Sequence, residues 1–287
     1  MDLVDILNSK NKTMKKLIIA LDGQHFPKGA FEFAKSINFS TKILLAGIFL
    51  SPVDYSKLLV FTGMEAAPLL PEWLTKNEDN ELVNKNVNKF TEACTNEGIE
   101  YRIHKDIDMM AISSLIEESR FADTLIISSE LFYDNVSKSQ PNFYLEEVLK
   151  KSECPVMLLP ENYEEPKQVI LTYDGSESSV FAIKQFAYVH PELAKKETIL
   201  LSILNHEDDL PEYGLITELV SRHFPNLRLQ ALHLKNKKDF TEWLLHMPNS
   251  FIVMGAFSRS LISHLFKKSF ASEVIHEIKM PIFISHK

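Results

Sequence analysis

The sequence predicts an α/β protein built as two tandem, doubly wound halves, each around a five-stranded parallel sheet. Three observations predict it. Continuous apolar runs alternate with segments of helical periodicity along most of the 287 residues, the pattern of strands covered on both faces by crossover helices. A polar stretch ending in proline, Glu161-Asn162-Tyr163-Glu164-Glu165-Pro166, interrupts the alternation, and the same order then restarts. Glu147 and Glu273, Val148 and Val274, and Pro155 and Pro281 also correspond at one offset of 126, which sets Ser129 against Gly255. A register held over that length marks a tandem repeat.

In the first half, Lys16-Leu17-Ile18-Ile19-Ala20-Leu21 is a wholly apolar run after its lysine, and Asp22-Gly23 punctuates it. Pro27 suits the start of a helix whose apolar positions are Ala30, Phe31, Ala34 and Ile37. Ile43 to Leu50 is the second strand. Ser51 to Leu70 is irregular, with Pro52, Gly63 and Pro68 among apolar residues, and Met64 to Leu70 reads as a segment packed over its own domain. Glu72 to Gly98 forms a long helix closed by Gly98 at C′. A strand at Ile99–Ile103, a helix at Met109–Arg120 and strands at Thr124 and Pro155–Leu159 complete the half.

The second half repeats this order. Val169 to Tyr173 is a strand followed by Asp174-Gly175, so that Asp174 corresponds to Asp22. Ser176 or Ser178 caps a helix with the apolar face Val180, Ile183, Phe186 and Ala187. Thr198–Leu204, Arg228–Leu234, Phe251–Met254 and Ile282–Ile284 are the remaining strands. Tyr213–His223 and Phe240–His246 are helices, and a short amphipathic helix precedes Pro281. The expected boundaries are an extension at 1–13, domains at 14–160 and 167–287, and a linker at 161–166. Met14 is the expected natural start.

Composition narrows the function classes. Hydrophobic content of 45% and charged content of 24% are those of a soluble globular chain. A net charge of −8 argues against nucleic acid or an anionic membrane as partner. No apolar run is long enough to span a bilayer, and the N-terminus lacks a signal-peptide pattern. Cys94 and Cys154 have no partner motif, which fits a reducing cytoplasm. The ten histidines form no metal-ligand spacing. No nucleophile elbow, Walker loop or catalytic carboxylate pair is present, so no catalytic residue is assigned.

In this order and spacing, Asp22-Gly23, Asp174-Gly175-Ser176, Ile252-Val253-Met254-Gly255, Pro155-Val156-Met157 and Pro281-Ile282-Phe283 resemble the universal stress protein family in its tandem form. The resemblance covers residues 15–287. It implies Rossmann-like domains paired through their last strands, hence an intramolecular pseudo-dimer. Further homodimerisation and protein partners stay open.

ATP-binding members of that family carry Gly-x-x-Gly, nine residues, then Gly and Ser or Thr. Here those positions are Gly255, Ser258, Lys268 and Ser269 in the second half, and Ser129, Phe132, Asn142 and Phe143 in the first. With no glycine left, the first half is expected to have lost nucleotide binding, since glycine lets backbone approach phosphate oxygens. The resemblance implies that Ser258, Lys268 and Ser269 hold the phosphates of ATP, with Asp174 near ribose and adenine. The bland alternative is that Lys267-Lys268 is solvated and Ser269 caps a helix. Likewise Asp174-Gly175-Ser176 is either a ligand contact or a strand-end turn with an N-cap. Two functions follow: a non-catalytic, nucleotide-binding stress protein, or a nucleotide-free scaffold. Slow ATP hydrolysis or phosphotransfer is a third.

Overall fold

The computed structural model describes residues 14–21, 25–50, 77–106, 111–128, 148–204, 210–233, 237–255 and 279–285. The first half contains β1 (Lys15–Leu21), α1 (Lys28–Ser40), β2 (Ile43–Leu50), α2 (Asn77–Asn96), β3 (Glu100–Asp106), α3 (Ala111–Ser119), β4 (Thr124–Ser128) and β5 (Val156–Leu159). The second contains β6 (Gln168–Thr172), α4 (Glu177–Val189), the short α5 (Pro191–Ala194), β7 (Glu197–Ile203), α6 (Tyr213–His223), β8 (Leu227–Leu232), α7 (Lys237–Leu245), β9 (Ser250–Gly255) and β10 (Ile282–Ser285). The extension 1–13, Asp22-Gly23, the segment 51–76 and the short helix expected before Pro281 lie outside the described residues.

The strands form one ten-stranded sheet in the order β3-β2-β1-β4-β5-β10-β9-β6-β7-β8. Every neighbour pairs parallel except β5 and β10, which meet antiparallel with Ile282 opposite Leu158, Phe283 opposite Met157 and Ile284 opposite Val156. Two five-stranded sheets thus join through their last strands, as an intramolecular pseudo-dimer requires. Met157 and Phe283 differ by 126 and face each other, so the pseudo-twofold passes through this pair.

Alternation within each strand splits the core into two layers. Leu17, Ile19, Ile126, Met157, Val169, Val253 and Phe283 point to the face covered by α1, α2, α4 and α6. Ile18, Ile127, Leu158, Ile170, Met254 and Ile282 point to the other face, where Leu115 of α3 and Phe240 and Leu244 of α7 pack. Each layer runs across the joint. Cys94 and Cys154 are buried in these layers, and desolvation pushes their thiols up to about 12 and about 11, so both are poor nucleophiles.

The repeat register needs one correction. Val156 pairs with Leu125, and its counterpart Ile282 pairs with Ile252. Strands β4 and β9 therefore correspond at 127, and Gly255 stands opposite Ser128 rather than Ser129. The two-residue period decides this: an offset of 126 would match Leu125 with Phe251, whose side chain faces the opposite layer. On the same footing Leu17 matches Val169 at 152, in step with the expected pairing of Asp22 and Asp174. The C-caps Thr41 and His190 of α1 and α4 differ by only 149, so the connection from β1 to α1 is three residues longer than that from β6 to α4.

Local signals explain most helix ends. Gly98 has φ +60, and Ile99 N donates to Cys94 O at 2.9 Å; this six-to-one bond closes α2 where the sequence predicts it. Ser176 caps α4, its Oγ accepting from Ser179 N. Of the predicted α4 face, Ile183, Phe186 and Ala187 are buried and Val180 is half-buried.

Candidate functional site

In a doubly wound sheet, ligands bind beyond the carboxyl ends of the strands where the strand order reverses. Here those points are β1/β4 in the first half and β6/β9 in the second. In the second half, Thr172 Oγ1 donates to Val253 O at 3.0 Å and ties β6 to β9. Tyr173 follows, fully buried, its hydroxyl donating to Pro211 O at 2.9 Å while its carbonyl accepts from Ser202 Oγ at 2.8 Å. Gly175 then turns with φ +78, and a Cβ there would stand 2.7 Å from Pro211 Cβ.

Asp174 accepts from Ser176 N at 3.0 Å and from Ser176 Oγ at 2.6 Å. Ser176 Oγ in turn accepts from Ser179 N at 3.1 Å, and Ser179 Oγ donates to Ser176 O at 2.8 Å. The result is an Asx turn feeding directly into an N-cap. Gly255 closes the same corner from β9. A Cβ added to it would stand 2.5 Å from Ser178 C, 2.6 Å from Ser179 N and 2.7 Å from Ser178 O. Strand β9 and the first turn of α4 thus touch backbone to backbone, and only glycine permits it.

The structure therefore brings Asp174, Gly175, Ser176 and Gly255 together around the first turn of α4. Ser258, Lys268 and Ser269 lie outside the described residues, as do Ser129, Phe132, Asn142 and Phe143 of the first half. Gly255 is explained by helix packing whatever the site holds, so its presence by itself does not point to phosphate.

The first-half crevice is arranged differently. Glu161, the residue two beyond β5, sends its carboxylate between β4 and α1, where Oε1 accepts from Ser128 Oγ and Oε2 accepts from Lys28 N at 3.2 Å. Gly29 makes room for this segment, since a Cβ there would stand 1.8 Å from Pro160 O. A carboxylate at the amino end of a helix occupies the place where a phosphate would sit. Neither Glu161 nor Ser128 stands out in the sequence, because their meeting joins residues 33 apart.

Elsewhere, an open groove of about 690 Å³ runs between α1, the 161–166 segment and α5, bordered by Lys35, Glu97, Tyr163, Glu165 and Lys196. Lys35 pairs with Glu97 at 2.6 Å and Lys196 with Glu165 at 2.7 Å. Among the described residues, no three His, Cys, Asp or Glu side chains are grouped to hold a metal ion, and no helix is long and apolar enough to cross a membrane.

No protein-family model matches the sequence, and no curated protein matches it. Solved structures do resemble it. A universal stress protein from Archaeoglobus fulgidus matches over 95% of this chain and 96% of its own, with a TM-score of 0.66 at 13% identity. A universal stress family protein from Burkholderia pseudomallei matches over 51% of this chain and 96% of its own, at a TM-score of 0.32 and 14% identity. One from Arabidopsis thaliana, solved with AMP bound, matches over 52% and 92%, at 0.32 and 20%. The full-length likeness shows the fold: this chain has the fold of the universal stress proteins in tandem form.

Proposed function

We propose that this chain is a non-catalytic, cytoplasmic stress protein of the universal stress type that binds ATP or a related nucleotide in its second half alone. In this reading residues 167–287 are the binding domain and residues 14–160 its ligand-free partner. One observation carries the asymmetry: Glu161 already supplies a carboxylate to α1 in the first half, where an incoming phosphate would meet like charge. In the second half, Asp174, Gly175, Ser176 and Gly255 form the rim by the first turn of α4, and Ser258, Lys268 and Ser269 are assigned the phosphates. Lys268 supplies the cation that a triphosphate needs.

A second reading, the nucleotide-free scaffold acting through the pseudo-dimer surface on protein partners or on a second copy, has its own support. Asp174 and Ser176 already bond each other, and Gly255 is spent on packing. Calorimetric titration of ATP into the full-length chain and into Lys268→Ala separates the two. Saturable one-site binding that weakens in the variant supports the nucleotide site. No heat at millimolar ATP leaves the scaffold. Phosphate release above a control without protein would overturn the non-catalytic part of either reading.

A further inference from the structure

A buried histidine sits in the joint between the two halves. His190 follows α4 directly and is 2% exposed. Its ring is enclosed by Phe33 of α1 at 5.7 Å, Phe186 of α4 at 5.8 Å and Phe283 of β10 at 5.8 Å, centroid to centroid. Two of these three aromatic residues come from the second half and one from the first, and Phe283 lies on the pseudo-twofold. Among the described residues, the one polar contact of the ring crosses the joint: Nε2 is 3.4 Å from Thr124 Oγ1 of β4. Thr124 Oγ1 already donates its one proton to Asp123 O at 2.8 Å, so the hydrogen between them belongs to Nε2. Nδ1 then carries a lone pair, buried and without a hydrogen-bond partner among the described residues.

Charge around the ring disfavours adding another. Lys15 of β1 reaches across the joint to donate through Nζ to Val189 O, the carbonyl preceding His190. Asp123, ahead of β4, and Glu192 of α5 face Lys15 and offset part of its charge. From α1, α4 and β10 the ring meets the uncharged side chains of Phe33, Phe186 and Phe283. Burial, and then Lys15, hold the imidazole down to about 3 from its ordinary 6.5.

We propose that His190 makes the joint between the two halves acid-sensitive: a proton taken from solvent onto Nδ1 would leave a buried charge beside Lys15 and an N–H with no acceptor among the described residues, so acid opens the β5–β10 seam there. The sign follows from linkage. The closed joint keeps the ring neutral, whereas an opened joint lets it take a proton at its ordinary value. The joint is therefore tightest above about pH 6.5 and loosens as pH falls toward about 3, its opening constant rising up to about tenfold per unit. The pseudo-symmetric position is Thr41, which does not titrate, so the device is single. It is independent of whether a nucleotide binds.

The test is amide hydrogen exchange of the full-length chain at pH 7.5 and 5.0, corrected for intrinsic exchange, in parallel with His190→Gln, whose amide can still donate to Thr124. Opening of the β5 and β10 amides is expected to rise roughly 10- to 30-fold at the lower pH, with β1 and β2 unchanged and the rise abolished in the variant. An equal rise in the variant overturns the proposal, and so does a rise that β1 and β2 share. Should His190→Gln not fold, the ¹⁵N shifts of the wild-type ring decide. A neutral Nε2–H imidazole persisting to pH 5 supports the latch; titration near 6.5 in the folded protein refutes it.

Discussion

Residues Lys28 and Gly29 of α1 are met by a carboxylate and a carbonyl that arrive from beyond β5, at Glu161 and Pro160. The first turn of α4 is met by its own Ser176 and by the bare backbone of Gly255. Both solutions satisfy amino-terminal N–H groups that a helix leaves open, yet they place the glycine on opposite partners. In the first half it sits on the helix, in the second on the strand. The comparison teaches that a repeat can keep its topology while trading which element yields space. In the first half the place by the first turn of the helix is taken by a carboxylate of the chain itself.

The largest effect is expected where the halves are most alike. Phe283 and Met157 face each other across the pseudo-twofold and are both fully buried. Phe283→Ala should cost about 3–5 kcal/mol and Met157→Ala about 2–5 kcal/mol in denaturant unfolding. Phe283 also packs on Phe186 at 5.3 Å and on His190, so its loss should be the greater. Equal costs would mean that the joint is symmetric in energy as well as in topology.

The glycines come next. Gly255→Ala and Gly29→Ala each force a Cβ onto backbone atoms rather than onto a movable side chain. Each should cost about 1–3 kcal/mol or somewhat more, read as a lowered thermal midpoint. A matching Gly214→Ala, where an added Cβ meets nothing within 4 Å, serves as the control and should not destabilise. If Gly255→Ala is as harmless as the control, strand β9 and α4 are not in backbone contact, and Gly255 returns as an argument for phosphate.

Much of the fold was legible because it depends on local pattern. Apolar runs marked β1, β2, β4, β6, β9 and β10 to within a residue or two, and Gly98 marked the end of α2. The pattern puts the edge strand β8 at Arg228–Leu234, whereas it runs Leu227–Leu232, since half of it is exposed and its apolar signal is thin. The helix α5 leaves no sequence signal: its four residues carry no periodicity beyond Pro191 at N1. The slip in register was hidden by chemistry, because Ser128 and Ser129 are identical neighbours and either serves as the match to Gly255. Asp174, Gly175 and Ser176 were legible as a group, although their mutual bonding was not. Glu161 and His190 could not be read at all, as both act through contacts between residues far apart in sequence.

The smallest effects bear most directly on the difference between the crevices. Ser176→Ala removes the side-chain cap of α4 and the partner of Asp174, and should cost about 1 kcal/mol. Glu161→Ala removes the cap that α1 borrows, with a cost of similar size, but its consequence differs in kind. If the carboxylate stands in for an anion, the emptied position at Lys28 N and Ser128 becomes available to one, and inorganic phosphate should recover part of the lost thermal midpoint by mass action. The parent chain and Ser176→Ala supply the comparison, since in both Glu161 still holds that place. Recovery by phosphate in Glu161→Ala and not in Ser176→Ala would identify the first half as a ligand site closed by its own chain. Equal recovery in both, or none in either, would reduce Glu161 to an ordinary helix cap and leave the two crevices differing in packing alone.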